Sequence, residues 1–185
     1  MKKVIFFFCA ILVCFNTFAG KIKVVSGEAA LSEILKSDKT MYVEFDWSKT
    51  VFDPDEPVPL REELEEGYDE FIQETEAGFI RGFKAGLSEK ITKMEGFVTL
   101  TDDEQAAQYK MVVMVPMLDW YFAVMHFYPS FKANIWALIT VQDVQTGEVI
   151  AQISVKDLSK KSANYSKALC CRDGFEYIGN WIGSL

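Results

Sequence analysis

Apolar and polar residues alternate most regularly in the C-terminal half of the chain. Residues 132–145 and 149–158 each carry an apolar side chain at every second position, the period of a strand with one buried face. Between them, Gln145-Thr146-Gly147-Glu148 has the composition of a tight turn. The two segments therefore predict an antiparallel hairpin. The apolar residues at these alternate positions are Ile135, Ala137, Ile139, Val141, Val149, Ala151, Ile153 and Val155.

Four further segments predict strands, at residues 22–25, 40–47, 97–100 and 109–118. In the second of these, Met41, Val43 and Phe45 alternate with Tyr42, Glu44 and Asp46. The two acids should therefore share the polar face of that strand. The fourth segment is almost wholly apolar, which predicts a strand that is buried on both faces.

A spacing of three or four residues between apolar positions predicts helices over residues 29–36, 61–94 and 163–185. Four glutamates crowd the start of the longest helix, where the positive end of its dipole stabilises acidic side chains. Residues 48–60 hold three of the five prolines of the chain, so this acidic segment is predicted to be a loop.

Glycines recur at a spacing of four in the long helix, at Gly78, Gly82 and Gly86. Each glycine inside a helix costs about 1 kcal/mol relative to alanine, so this glycine stripe implies that something passes close to the helix backbone. We expect the stripe to pack on the protein's own sheet, with a dimer seam as the other interpretation.

These elements predict one globular α/β (α+β) domain over residues 20–185, folded as a two-layer sandwich. Four or five of these strands, mostly antiparallel, form one layer, and the long helix and the C-terminal helix cover one face of it.

The first 19 residues are typical of a secretory signal peptide. Two lysines precede an apolar run over residues 4–15, which is too short to span a membrane. Thr17 and Ala19 are small enough for a signal-peptidase site, so cleavage is expected between Ala19 and Gly20, and an uncleaved anchor is the other reading. The mature chain has no further apolar run long enough for a transmembrane segment, and a periplasmic or secreted location is expected.

Composition excludes several classes of function. The chain has 27 acidic and 19 basic residues, a net charge of −8 that becomes −10 without the signal peptide, so nucleic acid is not an expected partner. A single histidine, His126, excludes metal sites that need two imidazoles, and we predict neither a metal nor a cofactor. Cys170 and Cys171 are adjacent and ill-placed to bridge each other, so buried thiols are expected, with a redox switch or an intermolecular bridge as alternatives.

Sequence motifs for catalysis are absent: there is no GxSxG, HExxH, Walker A, GxGxxG or CxxC pattern. No catalytic residue is predicted, and His126 lies among aromatic residues. The alternative is a carbohydrate hydrolase that uses two carboxylates, since such enzymes need no more than that pair. Its candidates are Glu44, Asp46 and Asp119, near the predicted ends of strands.

An aromatic segment, residues 119–131, joins two of the predicted long strands. Three interpretations are open: its rings fill the core as the strands continue, they form a surface for a protein partner, or they line a pocket for lipid or glycan. The residues concerned are Trp120, Tyr121, Phe122, Phe127, Tyr128 and Phe131.

Short motifs resemble known periplasmic domains. Ala-Ala-Gln-Tyr at 106–109, leading into Met-Val-Val at 111–113, resembles the Ala-Asp-Tyr-Val pattern that opens a central strand in CsgG-like and TolB amino-terminal-like domains. Asp-Val-Gln-Thr-Gly-Glu-Val at 143–149 is similar to the strand–turn–strand pattern Asp-x-x-Thr-Gly-Glu-Val of the same group. Lys-Ile-Lys-Val at 21–24 and Val-Glu-Phe-Asp at 43–46 resemble secreted proteins of the Bacteroidetes.

The resemblance covers about residues 39–158 and implies a non-catalytic part of an envelope assembly. The segment from 118 to 131 departs from it, being longer and more aromatic. The sequence thus predicts a non-enzymatic periplasmic or secreted envelope protein that acts through protein–protein contact, with Trp120, Phe122 and Phe127 as the foremost contact residues. Its partner is another envelope protein or a second copy of the chain, and a small-ligand module for lipid or glycan is the alternative.

Overall fold

The computed structural model describes residues 22–89, 96–125, 128–162 and 166–185; in 122–125, 128–131 and 160–162 it describes the backbone. The predicted signal peptide and its cleavage site at Ala19 and Gly20 lie outside the described residues. The strands are β1 (Ile22–Ser26), β2 (Thr40–Asp46), β3 (Val51–Phe52), β4 (Val58–Pro59), β5 (Thr99–Thr101), β6 (Tyr109–Met125), β7 (Tyr128–Asp143) and β8 (Val149–Ser162). The α-helices are α1 (Glu28–Leu35), α2 (Leu60–Leu64), α3 (Tyr68–Ser88) and α4 (Lys167–Gly183).

The fold is a mixed α/β sandwich with one sheet, as predicted in outline. Its strand order is β1-β8-β7-β6-β2-β5, and β3 pairs with both β4 and β6. The sheet has eight strands, so the prediction of four or five was too low. Two of the additional strands, β3 and β4, have two residues each and lie in the segment predicted to be a loop. Alternation cannot be detected over two residues, which is why they were missed.

The predicted hairpin between β7 and β8 is confirmed. The amide of Asp143 donates to the carbonyl of Glu148 at 3.0 Å, and Gly147 adopts a left-handed φ of 71° that its lack of a Cβ permits. The Asp143 carboxylate accepts hydrogen bonds from the amides of Gln145 and Thr146. These bonds, that of Thr146 first, lower the pKa of Asp143 below its ordinary value.

The long helix is interrupted. Instead of one helix over residues 61–94, a short 3₁₀ turn at Glu65–Gly67 separates α2 from α3, and residues 90–95 lie outside the described part. Glu65 has φ 47°, a left-handed conformation that ends α2.

The core lies between the inner face of the sheet and the helices. Fully buried side chains from α3 and α4 meet fully buried side chains from the central strands. Burying such residues is the main source of stability in a domain without disulfides. These residues are Phe79, Phe83, Phe175, Ile178, Met111, Val113, Ile139 and Ile153.

The glycine stripe packs against α4, not against the sheet as expected. A Cβ built on Gly78 would lie 2.8 Å from the carbonyl oxygen of Arg172. A Cβ on Gly82 or Gly86 would overlap the carbonyls of Glu176 and Asn180. Gly179 and Gly183 of α4 face carbonyls of α3 in the same way, so the two helices touch along their backbones. In this structure the stripe is thus part of the interior of the helix layer.

One carboxylate in the helix layer is held in a partly buried site. The indole Nε1 of Trp47 donates a hydrogen bond to Oε1 of Glu76 at 2.8 Å. Burial raises the pKa of Glu76 above its ordinary value, and the hydrogen bond from Trp47 opposes that rise. The folded state therefore holds this proton more tightly than the unfolded state, so its contribution to stability is largest at acidic pH and falls as the pH rises through the folded pKa.

We predict that Glu76→Gln raises the melting temperature at pH 7, because glutamine keeps the acceptor for Trp47 without a charge to desolvate. Below about pH 4, where the wild-type carboxyl is neutral in both states, the advantage should disappear. Thermal unfolding at several pH values measures this, with Glu70→Gln on the exposed surface of α3 as the control. An equal effect of the two substitutions at pH 7 would contradict the prediction.

Candidate contact face of the sheet

The two faces of the sheet differ in how they are covered. Along β6, Met111, Val113 and Val115 face the helices and are at most 1% exposed. The side chains between them face the other way and are half-buried. The composition of this strand predicted burial on both faces, and that prediction was wrong, because only one face is buried. We call the uncovered side the outer face.

An apolar strip occupies the middle of the outer face. Its members are large or branched apolar side chains that remain partly exposed and do not join the core cluster. This outer strip consists of Val112, Met114, Met117, Trp136 and Leu138.

The strand register brings the strip together. Met114 pairs with Leu138, and Met117 pairs with Trp136, across the antiparallel β6–β7 ladder. A bulge between Met114 and Met117 adds a residue to β6 and reverses the alternation. Without the bulge Met117 would point into the core, so the bulge extends the strip by one more pair, Met117 and Trp136.

Charged residues flank the strip on the β2 side. On the β2 side, Glu44 and Asp46 lie on the outer face, as predicted. The ammonium of Lys110 bonds the carboxylates of Glu44 and Glu104, each at 2.6 Å, and lies 5.8 Å from the centre of the Tyr42 ring. The bonds to Glu104 and Glu44 raise the pKa of Lys110 above its ordinary value, so the lysine stays charged at neutral pH. This side therefore keeps a net negative charge.

The end of the outer face near the aromatic segment carries polar groups. Asn134 Nδ2 donates to the Asp119 carboxylate at 3.3 Å, and Lys132 Nζ donates to the Tyr121 hydroxyl at 3.1 Å. Burial raises the pKa of Asp119, the hydrogen bond from Asn134 opposes that rise, and the nearby acids Asp53, Asp55 and Asp157 add to it. The polar groups mark where the apolar strip ends.

The aromatic segment divides between the two faces. Trp120 is 6% exposed and packs on the inner face, 4.3 Å from the ring of Phe52 and 5.7 Å from that of Phe71, measured between centroids. Lys167 lies 5.1 Å from the same indole. Trp120 is thus a core residue, and its prediction as a contact residue was wrong. Tyr121, the next residue, is 40% exposed on the outer face.

The other predicted contact residues are only partly placed. The backbone at Phe122, Tyr128 and Phe131 belongs to the β6–β7 ladder, so the strands continue through the segment. The side chains of these three residues, and His126 and Phe127 altogether, lie outside the described part of the structure.

The hydrolase alternative finds little support in the geometry. Glu44 lies beside Val112 on the neighbouring strand, and Asp119 is seven residues further along β6, about 20 Å away at 3.3 Å per residue. Paired catalytic carboxylates need a separation below about 10 Å. Asp46 lies beside Met114, five residues before Asp119 and so roughly 15 Å from it by the same count. In the third pair, Glu44 contacts Lys110 and Asp46 accepts from the Ser48 hydroxyl at 2.6 Å.

The cysteines are placed as expected. Cys170 and Cys171 are both buried in α4, and neither forms a disulfide bond. Burial raises the pKa of the Cys171 thiol well above its ordinary value, which makes it an inert group at neutral pH. Within the described ranges, no group of side chains could hold a metal ion. None of the helices there is long and apolar enough to cross a membrane.

Sequence reasoning missed the outer strip, although a signal for it is present. In β7, Trp136 and Leu138 alternate with the inward-facing Ile135, Ala137 and Ile139, so both faces of the strand are apolar. In an antiparallel sheet, the face that is exposed to solvent is normally polar. A strand that is apolar on both faces therefore indicates that the second face is also covered, by the protein itself or by a partner.

Comparison with known proteins gives distant structural likenesses. No protein-family model matches the sequence, and no curated protein matches it. The fold is similar to the PelC dodecamer from Paraburkholderia phytofirmans, with 13% identity over 87% of this chain and 98% of that chain and a TM-score of 0.44. It is also similar to a putative neuraminyllactose-binding hemagglutinin homolog from Helicobacter pylori, with 9% identity over 80% of this chain and 82% of that chain and a TM-score of 0.36. A third likeness is to the hypothetical protein CT253 from Chlamydia trachomatis, with 12% identity over 80% of this chain and 97% of that chain and a TM-score of 0.32.

Proposed function

We propose that this protein is a non-enzymatic component of the cell envelope that acts through protein–protein contact, and that the outer strip is its contact surface. The observation that carries the proposal is the continuous run of five apolar side chains on a sheet face that no helix of the described ranges covers. The envelope location rests on the predicted signal peptide over residues 1–19.

The shape of the strip favours a protein over a small ligand. Small molecules bind in concave pockets that enclose most of their surface, whereas proteins bind to broad and nearly flat patches. A sheet face is of the second kind. Two cavities lined by described residues, of about 330 and 370 Å³, lie elsewhere, beside α1 and between α3 and α4.

The composition of the strip favours a binding role as well. Aromatic side chains and methionine are enriched at the centres of protein interfaces, with charged groups displaced to the rim. Trp136 and the two methionines form the centre here, and Glu44 and Asp46 lie at its edge. Burial of Trp136 against a partner would make it the residue with the largest share of the binding energy.

Photo-crosslinking in the cells that produce the protein tests the proposal. We replace Leu138 with benzoylphenylalanine, and as the matched control we replace Tyr177, which is 43% exposed on α4 in the other layer. We expect covalent protein adducts from position 138 and far fewer from position 177. If position 138 gives no adduct while the variant folds normally, the outer strip is not a contact surface and the proposal fails.

A further inference from the structure

We propose that the occupant of the outer strip is a second copy of this chain, packed face to face with the two-fold axis parallel to the strands. This inference rests on the proposed function, since it names the partner of the same surface. It follows from the way in which charge is distributed across the sheet.

One row of residues crosses five strands on the outer face. From β1 to β2 the register aligns Lys23, Ser154, Leu138, Met114 and Asp46. The row is thus basic at one end, apolar in the middle and acidic at the other end. Lys156 on β8 lies in the next row on one side and Glu44 on β2 in the next row on the other, so the two lysines are on the β1–β8 side and the two acids on the β2 side.

The direction of the two-fold axis decides which edges meet. With the axis along the strands and between β6 and β7, β8 of each copy lies over β2 of the other. Asp46 of the second copy then lies over Ser154, with Lys23 on the adjacent strand and Lys156 two residues further along β8. With the axis across the strands, each edge lies over itself and like charges face each other. Juxtaposed like charges disfavour an interface, so the charge pattern selects the first arrangement.

The apolar centre is also self-complementary in that arrangement. With the axis between β6 and β7, Leu138 of one copy lies over Met114 of the other, and Trp136 lies over Met117. Two sheets packed in this way keep their strands within about 30° of each other and stand about 10 Å apart, as in a β-sandwich. The contact is closed by its symmetry, so it gives a dimer and not a filament.

The area of the outer face approaches the area that such a dimer needs. Four strands about 4.8 Å apart and about ten residues of 3.3 Å each give a face of roughly 600 Å². A stable interface buries about 800 Å² on each partner, and the polar rim around the strip contributes to the remainder.

Sedimentation velocity with charge-reversed variants tests the inference on the protein as purified from its own cells. The first variant carries Lys23→Glu and Lys156→Glu, and the second carries Asp46→Lys. We expect the wild-type chain to dimerise at concentrations of up to about 100 μM, and each variant alone to dimerise at least about tenfold more weakly. An equal mixture of the two variants should form a heterodimer within about threefold of wild-type affinity, because the facing edges again carry opposite charges.

The mixture distinguishes charge repulsion from misfolding, because two misfolded variants would not restore dimerisation when they are combined. A wild-type chain that stays monomeric throughout would overturn the inference, as would a dimer whose affinity neither variant changes. If the wild-type chain, and not the second variant, restored the dimer affinity of the first variant, the two-fold axis would lie across the strands. That result would also overturn the inference. If position 138 crosslinks only to a different protein, the second copy is excluded while the proposed function stands.

Discussion

Substitution of Gly82 by alanine is expected to destabilise the protein by about 3 kcal/mol, the upper range for overpacked cores, and to lower its melting temperature by roughly 6–12 °C. In an isolated helix the same change would stabilise by about 1 kcal/mol. The sign reverses here because the new Cβ would overlap the carbonyl of Glu176 in α4. The helices would have to separate along their whole line of contact.

Gly67→Ala is the matched control, because nothing lies within 4 Å of a Cβ at that position. It should leave the melting temperature nearly unchanged. Thermal unfolding followed by circular dichroism compares the two variants. Equal melting temperatures would mean that α3 and α4 do not touch along the glycine stripe, and the packing of these two helices described above would be wrong.

Truncation of Trp120 to alanine should cost about 4 kcal/mol, whereas truncation of Tyr121 should cost less than about 1 kcal/mol. The two residues are neighbours in sequence, but Trp120 is 6% exposed and Tyr121 is 40% exposed. Loss of the indole would leave Phe52 and Phe71 facing a cavity and would remove the contact with Lys167.

Chemical denaturation of the two alanine variants measures both costs in one experiment. Each variant loses one aromatic ring from the same strand, so a difference between their free energies of unfolding reflects the position of the ring and not the number of rings. A larger loss at Tyr121 than at Trp120 would show that the face assignment of β6 beyond its bulge is reversed.

The elements that depend on local periodicity could be predicted from the sequence. The β7–β8 hairpin follows from alternation over two long segments with a Thr-Gly turn between them, and the structure has it. The close approach at Gly82 was also predictable, because repeated glycine in a helix is costly without a reason. Whether a sheet or a helix makes that approach depends on packing between distant segments, which local patterns do not record.

The side-chain directions in β6 show where such reasoning fails. Counting in twos from Met111 places Trp120 on the outer face, but the bulge between Met114 and Met117 shifts the count by one. Pro116 was an available signal for it, since a proline within an internal strand is confined to bulges. Once the shift is counted, Trp120 falls in the core.

The outer strip could not be distinguished from core by sequence alone. The same apolar residue types occur at a surface that binds a partner and at a surface that the protein's own helices cover. Only the position of α3 and α4 on one side of the sheet separates Met114 and Leu138 from Val113 and Ile139.

Hydroxyl-radical footprinting tests most directly whether the outer strip is a contact surface. Met114, Met117 and Trp136 oxidise readily and can be quantified by mass spectrometry, both in intact producing cells and in dilute purified protein. We predict that they are protected in cells and reactive in dilution, while buried Met111 is protected in both and exposed Tyr177 is reactive in both. Equal oxidation of the strip in cells and in dilution would contradict the account, because a surface that is never covered is not where this protein binds.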